Sequence, residues 1–308
     1  MPELPEVENL RRGLERSIVG QKVLKVEVKK PKLVSGKGNI RVASLRKTWE
    51  FERGLKSEIF SKVERRAKNL IFRFTSGKIL LGHLKMSGQF VYLPKVGKKV
   101  IGGHPIELSE HQLPNRHSHV IFELQKGTLY YNDTRMFGYL LYYPSVEAFE
   151  KENHFALLGL EPFDKKFNLK YFAESLSAKG GSASGGKNKK GKIKAVLMDQ
   201  KIVTGLGNIY ADESLFESRI HPERPSASLK PSEIKLLYKA ILRIMRRAIK
   251  VGGSSVATYR LLDDTRGNYA REHKVYGKEG EECPRCGHPL KKILVQTRTT
   301  IFCPNCQK

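Results

Sequence analysis

The residues at the start of the chain, MPELPEVE, are of types that could do chemistry. A small residue such as Pro2 behind Met1 favours removal of the initiator methionine. The chain would then open on a secondary amine beside the carboxyl of Glu3. Such an amine attacks carbonyl-like carbons and forms an iminium, while a neighbouring carboxyl donates or accepts the proton that this chemistry needs. Chain termini are commonly frayed and inert. Catalysis is therefore expected only if the next residues hold the terminus in place.

Their pattern does so. After Pro5 an amphipathic helix is predicted over 6–19, with Val7, Leu10, Leu14 and Ile18 on one face and Arg11, Arg12 and Arg16 elsewhere. Gly20 ends it. A terminal nucleophile works only when it is positioned, and a packed helix supplies that.

The other metal- or redox-capable residues lie at the opposite end. The chain's 4 cysteines form two C-x-x-C pairs, Cys283/Cys286 and Cys303/Cys306. This spacing fits a Cys₄ zinc ribbon holding one structural ion per chain. Four thiolates fill the coordination sphere and leave no place for a reacting water, which argues against a zinc deaminase. A disulfide pairing is disfavoured by the expectation of a cytosolic chain without a signal peptide.

Charge restricts the partner. With 57 Lys+Arg against 31 Asp+Glu, the formal net charge is +26 over 308 residues. That excess points to a polyanion bound with counterion release, and nucleic acid is the expected partner. No apolar run reaches the length of a membrane span, and no basic amphipathic anchor or lipidation signal stands at either end, so no membrane partner is expected. A soluble, cytoplasmic protein is expected.

Along the chain, Leu24, Val26 and Val28 alternate with Lys25, Glu27 and Lys29. Further strand segments read at 57–65, 70–74, 79–86 and 138–143. Residues 119–124 and 128–133 form a hairpin around Lys126-Gly127. Short strands at this spacing imply an antiparallel sandwich, ending near residue 145 and followed by a connecting segment to about 165. Helical spacing then takes over at 165–177, 193–200, 208–218 and 232–250. The class is α+β: an N-terminal helix with an antiparallel β-sandwich, then a helical domain, then the cysteine hairpin. The stretch SAKGGSASGGKNKKGK interrupts the helical part and reads as a basic arm or a solvated loop.

Several motifs keep two readings. Gly205-Leu206-Gly207 is no dinucleotide fingerprint, because Tyr210 stands where a third glycine is needed. Asn208 opens a helix and either caps it or clamps a phosphate. Lys68, in ERRAKNLIF, is a functional lysine or one snorkelling at a strand start. Met86 and Phe137, in HLKMSG and DTRMFG, would ordinarily be core, and Arg135 stands beside the latter. Arg298 lies on the hairpin of the cysteine ribbon, as a groove contact or a solvated side chain. His83, His117 and His119 have no metal-like spacing and read as packing or phosphate contacts.

Taken in order, MPELPEVE, RRAKNLIF, HLKMSG, DTRMFG, LGLEP, MDQKIVTGLGNIYADESLF and the Cys₄ ribbon resemble the bacterial formamidopyrimidine-DNA glycosylases from end to end. Only the low-complexity insert and part of 46–57 fall outside the likeness. The resemblance implies a bifunctional glycosylase/lyase of base-excision repair, acting as a monomer on double-stranded DNA with oxidised bases such as 8-oxoguanine and formamidopyrimidines. Pro2 would be the nucleophile at C1′, Glu3 the acid/base, Glu6 its support, and Lys68 a catalytic contact to the lesion's phosphate. His117, Arg135, Asn208 and Arg298 would bind DNA. Met86, Arg135 and Phe137 would fill the gap left by the flipped nucleotide.

The implied domains are 1–145 (catalytic), 146–165 (linker), 166–269 (helix–two-turns–helix) and 270–308 (zinc finger). Residues 254–268 align with the loop that covers the extruded base. Met136 departs from the second Arg often found there, and Leu160 from a common Pro. Two rivals stand beside this reading. One is an endonuclease VIII-like enzyme for oxidised pyrimidines, disfavoured by Leu4 where such enzymes usually carry Gly. The other is a silent lesion-binding protein, disfavoured by intact Pro2, Glu3 and Lys68.

Overall fold

The structure is a computed structural model that describes residues 1–36, 42–96, 100–103, 113–177, 191–254 and 268–308. Most of the Gly/Ser/Lys-rich insert and of the 254–268 segment lies outside the described residues. The chain divides into two compact units, 1–155 with 251–268, and 156–250 with 269–308.

The first unit opens with α1 (Leu4–Ile18). The helix begins two residues earlier than the spacing predicts, because Pro5 is tolerated in a first turn, where its missing N–H has no partner to lose. Val7, Leu10, Leu14 and Ile18 are all buried, as the stripe requires. Each contributes on the order of 1.5–3 kcal/mol.

Two antiparallel sheets follow. One holds β1 (Val23–Val28), β5 (Gly88–Pro94), β6 (Val100–Gly103), β7 (Ser118–Leu124) and β8 (Gly127–Asp133), in the order β1-β7-β8-β5-β6. The other holds β2 (Phe60–Arg66), β3 (Asn69–Phe74), β4 (Ile79–His83) and β9 (Tyr139–Tyr143), in chain order. Their inner faces and α1 share one core, in which Phe72 of one sheet meets Phe90 of the other at 5.4 Å between ring centroids. The outer face of the second sheet is covered too. Ile71, Ile79, Leu81 and Leu141 pack with Phe149 of α3 (Val146–Lys151). Burial on both faces is why these strands read as near-continuous apolar runs.

Helix α2 (Leu45–Leu55) packs Phe51 and Leu55 inward and is capped by Ser44, whose side chain accepts the Lys47 N–H at 3.3 Å. In β1 a register shift between Val23 and Lys25 turns Val23 into the core and leaves Leu24 exposed. The alternation expected from Leu24 is therefore displaced by a bulge.

The second unit is helical: α4 (Leu169–Leu176), α5 (Ile193–Met198), α6 (Asn208–Glu217) and the long α7 (Pro231–Lys250). It closes with a hairpin of β10 (Lys291–Val295) and β11 (Arg298–Phe302). Gln296 and Thr297 both take positive φ in its two-residue turn, which matches the right-handed twist of the strands.

Candidate active site

In the first unit, Pro2, Glu3 and Glu6 are all buried at the head of α1. Glu6 holds them. One of its carboxylate oxygens accepts the Glu3 N–H at 2.8 Å, and the other accepts the Ser254 N–H at 2.7 Å. Gly253 lies so close that a Cβ there would meet Glu6 Oε1 at 2.8 Å, and its φ of +82° also calls for glycine. The terminal residues are thus tied to the base of the 254–268 segment, where Ser254 bridges Asn268.

Lys68 sits in the tight turn from β2 to β3, beside Ala67 at φ +57°, and is buried. A relay connects that turn to α1. Glu8 accepts from Arg65 Nε at 3.1 Å, and Arg65 Nη1 donates to the Ala67 carbonyl at 3.0 Å. Burial would raise the Glu8 carboxyl, but hydrogen bonds from Arg11 and Arg12 and the nearby charges of Arg11 and Arg65 hold it below its ordinary value. On the far side of the turn, Asn69 Nδ2 donates to the Arg66 carbonyl at 3.2 Å.

Met86, Arg135 and Phe137 come from two different loops and are all exposed. Neither Met86 nor Phe137 belongs to the core, which is where their residue types alone would have put them. The Arg135 guanidinium lies over the Phe137 ring, 4.7 Å from its centroid. Between them Met136 takes φ +53° and packs against the sandwich core, so the backbone turns Arg135 and Phe137 outward.

Gly88 and Gly138 close the two loops around the same hydroxyl. A Cβ at Gly138 would stand 1.7 Å from Tyr131 Oη, and one at Gly88 would stand 2.9 Å from it. His117 lies in the turn just before β7, with its Nε2 accepting from Arg116 Nε at 3.1 Å. His119 is buried, and its Nε2 lies 2.9 Å from the Asp133 carbonyl. Burial pushes its pKa down, so it is a neutral packing residue rather than a charged phosphate contact.

In the second unit, Asn208 does not cap its own helix. Gly207 occupies the N-cap, and Asn208 Nδ2 donates to the Thr299 carbonyl at 3.0 Å. The same carbonyl accepts from Lys194 Nζ at 2.9 Å, and Lys194 also donates to Thr300 Oγ1 at 2.6 Å. Lys194 is fully buried and paired to Asp212 at 2.7 Å. Burial pushes the Asp212 carboxyl up to about 7 in spite of that partner. Asp212 in turn accepts the Ile301 N–H at 3.3 Å. The first turn of α6 and the strand bearing Arg298 are therefore one assembly, with Arg298 exposed at the strand's start. Sequence spacing gave no sign of Lys194 and Asp212. The signal lay in their types, Lys194 among the apolar residues of α5 and Asp212 beside the equally buried Glu213 in α6.

The four cysteine sulfurs all lie within 4.8 Å of one another. Cys283 and Cys306 Sγ are 3.9 Å apart, and those of Cys286 and Cys303 are 3.5 Å apart. Tetrahedral zinc with Zn–S bonds of roughly 2.3 Å needs sulfurs about 3.8 Å apart, so the donor set fits.

Comparison with known proteins agrees with this geometry. A family model described as the formamidopyrimidine-DNA glycosylase N-terminal domain matches residues 1–140, and one for that family's H2TH domain matches 158–260. A third, a zinc finger found in FPG and IleRS, matches 280–308. The formamidopyrimidine-DNA glycosylase of Streptococcus pneumoniae is 37% identical over 311 residues, covering 100% of this chain and 99% of the relative. That of Desulfitobacterium hafniense is 36% identical and covers 100% of both. A structure of Lactococcus lactis Fpg with DNA containing an abasic site has a TM-score of 0.81 at 36% identity, covering 99% of each chain. MutM with DNA containing carbocyclic 8-oxo-G has a TM-score of 0.79 at 35% identity, covering 100% of each.

Proposed function

From the premise that the chain belongs to the formamidopyrimidine-DNA glycosylase family, we infer that it is a bifunctional DNA glycosylase and AP lyase of base-excision repair. It binds damaged duplex DNA and releases oxidised purines, 8-oxoguanine and formamidopyrimidines, from it. The observation that carries the assignment of residues is the buried Pro2–Glu3 start, held by Glu6.

Once Met1 is removed, the Pro2 nitrogen lone pair attacks C1′ of the lesion nucleotide and the base leaves with the glycosidic electrons. Glu3 passes a proton to O4′ as the sugar ring opens to the iminium. As a C2′ proton is lost to a base, its bonding pair flows into the iminium and the resulting enamine expels the 3′ phosphate. A second elimination expels the 5′ phosphate, and water hydrolyses the remaining imine to free Pro2. Lys68 neutralises a phosphate of the lesion nucleotide while charge moves. Met86, Arg135 and Phe137 enter the stack in place of the extruded nucleotide, offsetting part of the unstacking cost. Asn208 and Arg298 grip the backbone, with His117 as a further phosphate contact.

When bound by Cys283, Cys286, Cys303 and Cys306, zinc supplies the fold of the ribbon and takes no part in the chemistry. We also propose the division of labour read from the sequence: chemistry in 1–145, a linker at 146–165, the helix–two-turns–helix grip in 166–269 and the zinc finger in 270–308. Monomeric action in the cytoplasm completes the reading. Among the described residues no helix is long and apolar enough to cross a membrane.

Borohydride trapping on a duplex with 8-oxoguanine opposite cytosine tests it. A covalent adduct mapping to Pro2, absent in Pro2→Gly, is the expected result. An adduct on a lysine moves the nucleophile elsewhere. Tight binding with no adduct and no strand cleavage means a silent lesion-binding protein, and preference for a thymine glycol duplex means the oxidised-pyrimidine alternative.

A further inference from the structure

The gap-filling residues stand on two loops that follow different strands. Met86 lies between β4 and β5, and Arg135 and Phe137 lie between β8 and β9. Each loop has one residue in the left-handed region, Lys85 at φ +50° and Met136 at φ +53°. Neither conformation is cheap for a side-chain-bearing residue, so something must hold both loops in place.

Asp133 does this from the end of β8. It is fully buried, and its carboxylate is surrounded by donors from both loops. Oδ2 accepts the Gly138 N–H at 2.6 Å, and Oδ1 accepts the Arg135 N–H at 3.3 Å. The Ser87 hydroxyl, next to Met86 on the other loop, also donates to Oδ1. Ser87 Oγ then accepts the Arg135 N–H at 3.0 Å. The backbone of Asp133 is held equally firmly. Its N–H donates to the His117 carbonyl at 3.1 Å, and its carbonyl faces the buried His119 ring and accepts the Met136 N–H at 3.3 Å.

We propose that Asp133 is a positioning residue that makes the Met86 loop and the Arg135–Phe137 loop into one wedge, with Ser87 as the link between them. The proposal rests on the reading that these three side chains fill the gap left by the flipped nucleotide. A buried carboxylate serving several donors is rigid, since losing any one strands a desolvated group. Two loops that share it move together or not at all. Opening a base step is costly, and a wedge whose parts arrived independently would have to order them during that event.

The test uses the full-length, zinc-loaded protein and two substrates with 8-oxoguanine, one fully paired with cytosine and one with the lesion in a short unpaired bubble. Base release is measured in single turnover, with melting temperature as the fold control. Ser87→Ala removes the link but leaves the Asp133–Gly138 bond, and should slow release from the paired duplex about tenfold while changing the bubble less than about threefold. Asp133→Asn should act in the same direction and more strongly. Ser87→Thr, which keeps the hydroxyl, should restore the paired rate. In a double-mutant cycle, Met86→Ala and Phe137→Ala should be coupled in the native background and additive in Ser87→Ala.

Equal slowing of both substrates by Ser87→Ala, or no slowing, overturns the link if Met86→Ala and Phe137→Ala still discriminate the two substrates. If those two variants do not discriminate either, the gap-filling reading itself has failed, and the wedge falls with it.

Discussion

Glu6 and Ser254 lie 2.7 Å apart across 248 residues of sequence, carboxylate to backbone N–H. The same Glu6 side chain accepts the Glu3 N–H. One carboxylate therefore fixes both the residue next to the proposed nucleophile and the entry to the segment aligned with the base-covering loop.

Glu6→Gln leaves one oxygen to accept, so either Glu3 or Ser254 faces an amide NH₂ and loses its partner. An unsatisfied buried donor costs roughly 1–3 kcal/mol. A lowered melting temperature and about a tenfold drop in borohydride trapping on 8-oxoguanine DNA are expected. Unchanged melting and trapping would show that the tether is dispensable.

Arg298 and Asn208 should separate in a salt titration. On the proposed reading Arg298→Ala removes a cationic phosphate contact, so the slope of log K against log salt should fall by about one. Asn208→Ala removes a neutral contact and should weaken binding with the slope kept. Fluorescence anisotropy on an abasic-analogue duplex at four salt concentrations distinguishes them. Identical slopes for native protein and Arg298→Ala would place Arg298 off the backbone.

Zinc should be present at one ion per chain, and Cys303→Ser should abolish it. The hairpin that the metal folds carries Thr299, the partner of Asn208 and Lys194. Loss of zinc should thus weaken DNA binding about tenfold or more. Metal analysis and anisotropy read the two effects independently. Full affinity in a zinc-free variant would refute the coupling.

Stability should rise with pH between about 4 and 6.5. Burial drives His273 down to about 4, against its backbone partner Tyr276, so it is held neutral in the folded state. In that window the unfolded chain binds the extra proton, which favours unfolding as pH falls. The loss amounts to about 3 kcal/mol, and His119 acts in the same direction. Urea midpoints from pH 4 to 7 should show a flatter slope in His273→Phe. An unaltered slope in that variant would rule His273 out as the source.

Much of this architecture can be read from residue types. The α1 stripe, the 119–133 hairpin and the long α7 obey simple periodicity, and the cysteine ribbon shows in its spacing; α6 is buried all round over Tyr210–Phe216 and has no stripe. Strand β5 does not, because it is buried on both faces over Gly88–Tyr92 and shows no alternation. Helix α2 is hidden for the opposite reason: Leu45 and Trp49 are exposed on its outer face and blur the stripe of Thr48, Phe51 and Leu55.

The site shows the same division. Pro2, Glu3 and the cysteines announce their chemistry by type. Asp133, Ser87 and Lys194 act through contacts with residues distant in sequence, and no local pattern encodes such contacts. Their polar character inside otherwise apolar or tightly turned segments was the only local sign.

Residues 135 to 137 point alternately out, in and out, with Met136 packed against the sandwich core. This separates two kinds of mutational freedom within three consecutive positions. Changes at Arg135 or Phe137 alter what the loop meets while leaving the interior alone. Changes at Met136 are screened by packing, where an unbranched thioether accommodates irregular neighbours. Selection, natural or in the laboratory, can therefore retune the outward surface of this loop without first having to restore the stability of the sandwich beneath it.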